Sequence, residues 1–296
     1  MKNNLISSSD KIFDVAVNTL LVIIIIIVTY PLYFIVIASL SDPDAVNAGT
    51  VLYKPIGLNL DGYMRILDDK RIWHGYGNTI FYTFGGTLLG VVSTLLAGYS
   101  LSRKDLLGRN YFMGFLVFTM YFNGGLIPTY LVVNSLHLVN TPWVMIILGS
   151  VTVYNIIITR TYFQSNITQE LLEAAFIDGC SNGLFFLKIV LPVSKAITAV
   201  ITLYIAVTHW NSFFHALIYL TDQKLYPLQL ILRDILISSR MLQQSTTDLD
   251  SIAKQERIAE SLKYGIIIAA SLPMLIIYPF VQKYFVKGVM IGAIKG

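Results

Sequence analysis

An all-α protein threaded several times through a membrane is the fold class this sequence predicts, and three observations predict it. Of 296 residues, 55% are apolar and only 13% charged, with a mean hydropathy of +0.66; soluble domains carry about 25% charged residues. Six apolar segments are long enough to cross a hydrocarbon core, which takes about 20 helical residues. Lys and Arg are also sorted unevenly between the short connections, as they are where cytoplasmic loops are basic.

The same composition excludes other classes. Disorder needs few large apolar residues, and this chain is rich in them. A disulfide scaffold needs cysteine pairs, and Cys180 is the single cysteine. The net charge of +4 and pI near 9.0 do not imply nucleic acid, because the 21 basic residues are scattered. In so apolar a chain they mark a membrane face, and lipid is the expected surrounding.

The first apolar segment, Val15 to Leu40, holds the run Leu20 to Val28. It exceeds the roughly 7–15 residues of a signal-peptide core and lacks a small-residue cleavage site, so it is expected to stay as a span. Pro31 within it is tolerable as a kink. The further spans expected are Thr79 to Leu101, Tyr111 to Val133, Val144 to Phe163, Ile197 to Leu220 and Tyr264 to Phe285. The expected organisation is therefore a cytoplasmic N-terminus over residues 1–14 and a transmembrane domain of six helices over residues 15–296.

The short connections set the orientation. Ser102 to Asn110 carries Arg103, Lys104 and Arg109, whereas Asn134 to Trp143 carries neither Lys nor Arg. The basic turn belongs in the cytoplasm. Both termini and the segment Gln164 to Ala196 then lie inside, and the long connections Ser41 to Asn78 and Thr221 to Lys263 lie outside. Those two hold ten basic residues, but also eleven acidic ones, and long segments cross largely regardless of charge.

The inner segment reads as one or two short helices. Thr168 is an N-cap and Glu170 sits in the first turn. Leu171, Leu172, Ala174, Ala175 and Ile177 make an apolar or small stripe. Gly179 is placed to end the helix in a left-handed conformation, and Pro192 fits where the chain turns back into the membrane.

Several chemistries are missing. There is no phosphate-binding loop ending in Gly-Lys-Ser/Thr. Gly85-Gly86 and Gly124-Gly125 lie in apolar segments, where close helix packing or a helix break accounts for them. His74, His137, His209 and His215 form no metal pair at i and i+4. The carboxylates lie in connections, not in spans, so no proton relay is expected. No catalytic or metal site is predicted, and no cofactor of the chain's own is expected.

One pattern carries an identity. Glu173-Ala174-Ala175 is followed by three residues and Gly179, then by nine residues and Ile189-Val190-Leu191-Pro192; Asp178 precedes the glycine. This resembles, spacing included, the signature of the permease subunits of binding-protein-dependent ABC importers. The likeness runs nearly end to end and is greatest to the carbohydrate branch, as in the second permease of the maltose system. Ala97 to Arg103 with Gly108-Arg109 resembles that branch's basic turn after the second span. Trp210-Asn211-Ser212-Phe213 and Tyr226-Pro227-Leu228-Gln229 resemble its fifth-span and last external segments, and Gly288 to Gly296 its tail. Asn123-Gly124-Gly125-Leu126-Ile127-Pro128 suits a subgroup tied to complex oligosaccharides.

The resemblance implies a permease moved by a separate ATPase that holds ATP and Mg. The contact would be a coupling helix carrying Glu173, Ala174, Ala175, Asp178 and Gly179, with Ile189, Leu191 and Pro192 anchoring its return. Ala174 and Ala175 would keep the docking face thin, and Glu173 would offer a charge-assisted hydrogen bond. The implied partners are a second homologous permease, two ATPase subunits and an extracellular substrate-binding protein, with no nucleic acid. Trp210, Asn211, Phe213, Phe214, Tyr121 and Asn123 could stack on and hydrogen-bond a sugar along its path; interhelical packing would use the same residues. Tyr226, Pro227 and Gln229 are expected to touch the binding protein, or to lie in a solvated loop. Gly288, Gly292 and Lys295 are expected in a tail inserted between the ATPases.

Overall fold

The computed structural model describes residues 8–245, 257–276 and 278–279. Its described helices are α1 (Ser8–Ser39), α2 (Pro43–Asn47), α3 (Asp61–Asp68), α4 (Lys70–Ser102), α5 (Arg109–Tyr121), α6 (Leu126–Ser135), α7 (Pro142–Ile147), α8 (Val153–Asn166) and α9 (Gln169–Ile177). They continue with α10 (Asn182–Val193), α11 (Lys195–Trp210), α12 (Phe213–Tyr219), α13 (Leu228–Ser245) and α14 (Arg257–Ile276). No strand occurs among the described residues. The chain divides into two compact units, one of Met1–Asp69 with Asp234–Ser271, the other of Lys70–Arg233 with Leu272–Gly296.

In the first unit, α1 carries exposed apolar side chains from Ile12 to Tyr33 and becomes buried only at Ile37, Ala38 and Ser39. An apolar surface of that length suits lipid. Close packing of α3 on α14 depends on Gly62, where a Cβ would strike the Ser261 carbonyl. Arg257 reaches Asp42 at 3.2 Å and Asp44 at 3.0 Å, both exposed pairs.

The second unit is organised on α4. Thr79, Tyr82, Gly86, Gly90, Thr94, Gly98 and Leu101 are buried along it, at spacings of three or four that line up on one face. Small residues there let neighbouring backbones approach, the usual device for helix association in lipid. A Cβ on Gly86 would meet the His209 ring of α11, and one on Gly98 would lie 2.7 Å from Thr159 Cγ2 of α8. One apolar cluster joins Tyr82, Val144, Met145, Ile146, Ala216, Tyr219 and Leu230. A second joins Leu95, Phe163, Ala175, Phe185, Phe186, Val190, Ile197, Ile201 and Ile205.

Among the described residues three helices pass as unbroken spans by length and composition: α1 over Lys11–Ser39, α4 and α14. Two helix pairs pass together with sharp bends, α5–α6 at 114° and α10–α11 at 83°. The structure therefore differs from six simple rods in several places. Val144 to Phe163 is divided into α7 and α8, because Gly149 is left-handed at φ +83 and Thr152 caps the new helix through the Asn155 N–H. Tyr111 to Val133 breaks at Asn123-Gly124-Gly125, where Asn123 Oδ1 accepts from the Gly125 N–H at 3.0 Å. Ile197 to Leu220 breaks at Asn211-Ser212, whose side chains return to Val207 O at 3.0 Å and His209 O at 2.6 Å. Side chains that compete for backbone partners end helices in this way. Among its described residues the connection Thr221 to Lys263 is mostly helical, with α13 and the start of α14 inside it. The last expected span extends past the described residues.

Candidate coupling site

The Thr168 hydroxyl accepts the Leu171 N–H at 3.4 Å and starts α9. At the other end the Gly179 N–H donates to Phe176 O at 3.0 Å and the Cys180 N–H to Ala175 O at 2.9 Å, with Gly179 at φ +79. Those two bonds and the left-handed glycine form a Schellman stop. Both ends of the helix thus fall where the sequence puts them. The Glu170 carboxyl is held below its ordinary range by its own backbone N–H, then by the Thr168 hydroxyl, with Lys104 adding to the effect.

The signature residues divide between two sides of α9. Glu173, Ala174, Asp178 and Gly179 are exposed, as is Ile177 at 86%, while Ala175 is 7% exposed within the apolar cluster. The expectation that both alanines thin one outer face is corrected: neighbours on a helix point about 100° apart, so Ala175 faces the core and Ala174 faces out. Glu173 accepts a hydrogen bond from Gln169 Nε2 at 2.9 Å and remains open to solvent.

Ser181 caps α10 through the Leu184 N–H at 3.4 Å. Phe186–Val190 is a π turn, closed by the Leu191 N–H on Phe186 O. Pro192 lacks an N–H and crowds the carbonyl four residues back, which accounts for the widened turn before it. Ile189 and Leu191 are half-buried against the cluster, and Pro192 is exposed. The chain does not turn at Pro192 as expected; it bends two residues later, at Ser194, between α10 and α11.

The remaining candidates are dispersed. Trp210 is 5% exposed, with its ring 6.5 Å from that of Tyr76 within the second unit. Asn211, Phe213 and Phe214 are exposed just beyond it, and Tyr121 and Asn123 are exposed at the α5–α6 break. Pro227 is buried, and Tyr226 and Gln229 are half-buried. The Tyr226 and Leu225 carbonyls accept from Asn78 Nδ2 at 3.0 Å and Tyr82 OH at 2.9 Å, which fastens this segment to α4. Gly288, Gly292 and Lys295 lie outside the described residues.

Sequence reasoning missed the environment of Arg103. Its Nε and Nη2 donate to Asp105 at 2.7 and 2.6 Å, and Nη1 donates to Tyr99 OH at 3.0 Å and Asn182 Oδ1 at 3.1 Å. The fork raises the already high Arg103 pKa, Asp105 being the main cause, and holds the Asp105 carboxyl below its ordinary range. The Arg-x-Asp spacing in a short turn was the available signal. Among the described residues no cluster of His, Cys, Asp and Glu could hold a metal ion.

The described residues are helical, with apolar helices long enough to cross a membrane and the short capped helix α9 set between α8 and α10. Residues 81–291 match the family described as binding-protein-dependent transport system inner membrane component, and the chain belongs to that family. It is 36% identical to the polygalacturonan/rhamnogalacturonan transport system permease protein YtcP of Bacillus subtilis, covering 97% of this chain and 99% of that one. It is 35% identical to Protein LplC of the same organism, over 98% of this chain and 97% of the relative. A crystal structure of a bacterial ABC transporter involved in the import of the acidic polysaccharide alginate has a chain that superposes with a TM-score of 0.83. That chain shares 32% identity and is covered in full, with 96% of this chain matched.

Proposed function

We propose that this chain is one permease of an ATP-driven importer that takes oligosaccharides from an extracellular binding protein and passes them across the cytoplasmic membrane. The observation that carries the mechanism is α9: capped at both ends, exposed at Glu173, Ala174, Ile177 and Asp178, and seated by Ala175. On this reading a separate ATPase, which supplies Mg-dependent ATP hydrolysis, docks on that outer side, and a second homologous permease completes the path. The short basic turn at Arg103, Lys104 and Arg109 supports, on this reading, a cytoplasmic side for α9 and both termini.

The substrate class follows from chemistry shared by two relatives. Polygalacturonan is a polymer of uronic acids, and alginate is named as an acidic polysaccharide. Uronate-bearing oligosaccharides are therefore the first substrates to test. The complex of both permeases, ATPase and binding protein, reconstituted in vesicles, should take up labelled oligogalacturonides in an ATP-dependent manner. Uptake of neutral oligosaccharides alone would replace the uronate reading, and ATP-independent or absent uptake of both would end the transport reading. Glu173→Lys and Gly179→Pro should leave the chain inserted but cut uptake at least tenfold; normal uptake by both would remove α9 from the coupling path.

A further inference from the structure

Coupling requires more than a docking surface, because a helix that is pushed must be tied to something that then moves. Apolar contact ties one side of α9 to the core: Ala175 is its one buried residue, and Leu172 is half-buried against the same cluster. Phe176, at 40% exposure, leaves the core and extends toward the end of α4. There the Arg103 guanidinium carbon lies 5.7 Å from the Phe176 ring centroid and 5.9 Å from that of Tyr99, both within cation–π range. The same guanidinium reaches Asn182, the first residue of α10, so it touches the chain on both sides of the Gly179 turn.

The α4 end is itself held by side chains of its neighbours. Arg160 Nε of α8 donates to Leu101 O at 3.1 Å, and Arg109 Nη1 donates to Arg103 O at 3.3 Å. Carbonyls that an α-helix leaves unpaired are thus taken up by two arginines. The Tyr99 ring packs against Phe163 at 6.1 Å and Phe186 at 5.0 Å, fixing the hydroxyl that Arg103 uses. The Arg103 side chain is 13% exposed. A planar fork with several donors can hold a carboxylate, a phenol, an amide and a ring at once; a lysine ammonium cannot.

We propose that Arg103 is a positioning residue that ties α9 and the start of α10 to the end of α4, so that displacement of α9 moves α4 and not merely the connection. This rests on the reading of α9 as the docking helix. Phe176 and Asn182 are the partners on the α9–α10 side, and Tyr99 and Asp105 those on the α4 side.

The test uses the whole reconstituted complex with its binding protein. Arg103→Gln should still copurify with the ATPase and retain basal hydrolysis. It should lose stimulation by loaded binding protein, and uptake per ATP should fall at least tenfold. Arg103→Lys, which keeps the charge without the fork, should recover only part of that ratio. Should Arg103→Gln fail to assemble, the double variant Phe176→Leu with Asn182→Ala removes the other half of the contact and is expected to uncouple in the same way. Wild-type uptake per ATP in whichever of these assembles overturns the proposal. Glu173→Lys and Gly179→Pro separate the two readings. If they uncouple while the Arg103 variants do not, only the Arg103 tie fails; if they too remain coupled, α9 is not the docking helix.

Discussion

His209 Nε2 of α11 lies 3.2 Å from Ser150 Oγ, at the break between α7 and α8, and the imidazole covers Gly86 of α4. The Ser150 hydroxyl also bonds the Ile146 carbonyl, one of those left free where α7 stops. Three elements therefore meet at one polar point inside an apolar bundle. A buried break of this kind is tolerated in a membrane protein only when its polar groups find partners within the protein.

Gly86→Ala should consequently destabilise the protein, although alanine is the better helix former. The added Cβ has nowhere to go but the His209 ring, and overpacking costs about 1–3 kcal/mol, against a propensity gain of about 1 kcal/mol. Gly77, on the same helix, has open space around its missing Cβ, so Gly77→Ala should be neutral or stabilising. Thermal unfolding in detergent checks the pair: the Gly86 variant melts lower than wild type, and the Gly77 variant does not.

Gly179 offers a cleaner backbone effect. A Cβ there would meet nothing within 4 Å, so any cost arises from φ +79 alone. Gly179→Val should cost roughly 1–2 kcal/mol, and Gly179→Asn less, because asparagine tolerates the left-handed region. Amide exchange in a peptide covering residues 169–181 is the measure. Exchange should speed up in the order glycine, asparagine, valine.

Trp210 and Phe214 separate packing from path. Trp210→Ala empties a buried site and should cost about 3–5 kcal/mol, whereas Trp210→Phe should largely restore stability. Phe214 is 52% exposed, and Phe214→Ala should leave the melting temperature unchanged. If Phe214 lines the sugar path, its alanine variant raises the KM for uptake several-fold; an unchanged KM returns it to the surface.

The Arg103–Asp105 pair sets a pH window. Hydrogen bonding to Arg103 lowers the folded-state Asp105 pKa, so its contribution is complete above the unfolded value of about 3.9 and is lost as pH falls through the folded value. The Asp105 side chain is 65% exposed, which keeps that contribution small. Uptake per ATP should accordingly be insensitive to this pair between about pH 5 and 8. Asp105→Asn should reduce the ratio less than Arg103→Gln does.

The second unit shows how far local pattern reaches. Thr168, Glu170 and Gly179 announce the limits of α9 because capping and left-handed turns are chemistry of neighbours in sequence. The α4 glycines announce close packing through their spacing. Neither pattern could reveal that Gly149 would divide the fourth apolar segment, since an isolated glycine in an apolar run equally marks helix contact. Arg103 was legible as a charge near Asp105, but its partners Phe176 and Asn182 were not, because they lie more than 70 residues away in the chain.

From residue order alone came the membrane class, the signature segment and the helix that carries it, since each depends on length, composition or spacing along one stretch. Which side of α9 Ala175 would take, where the spans would break, and what Arg103 would grip were decided by the packing of distant segments. Burial and hydrogen-bond satisfaction belong to the assembled bundle, not to any one window of sequence.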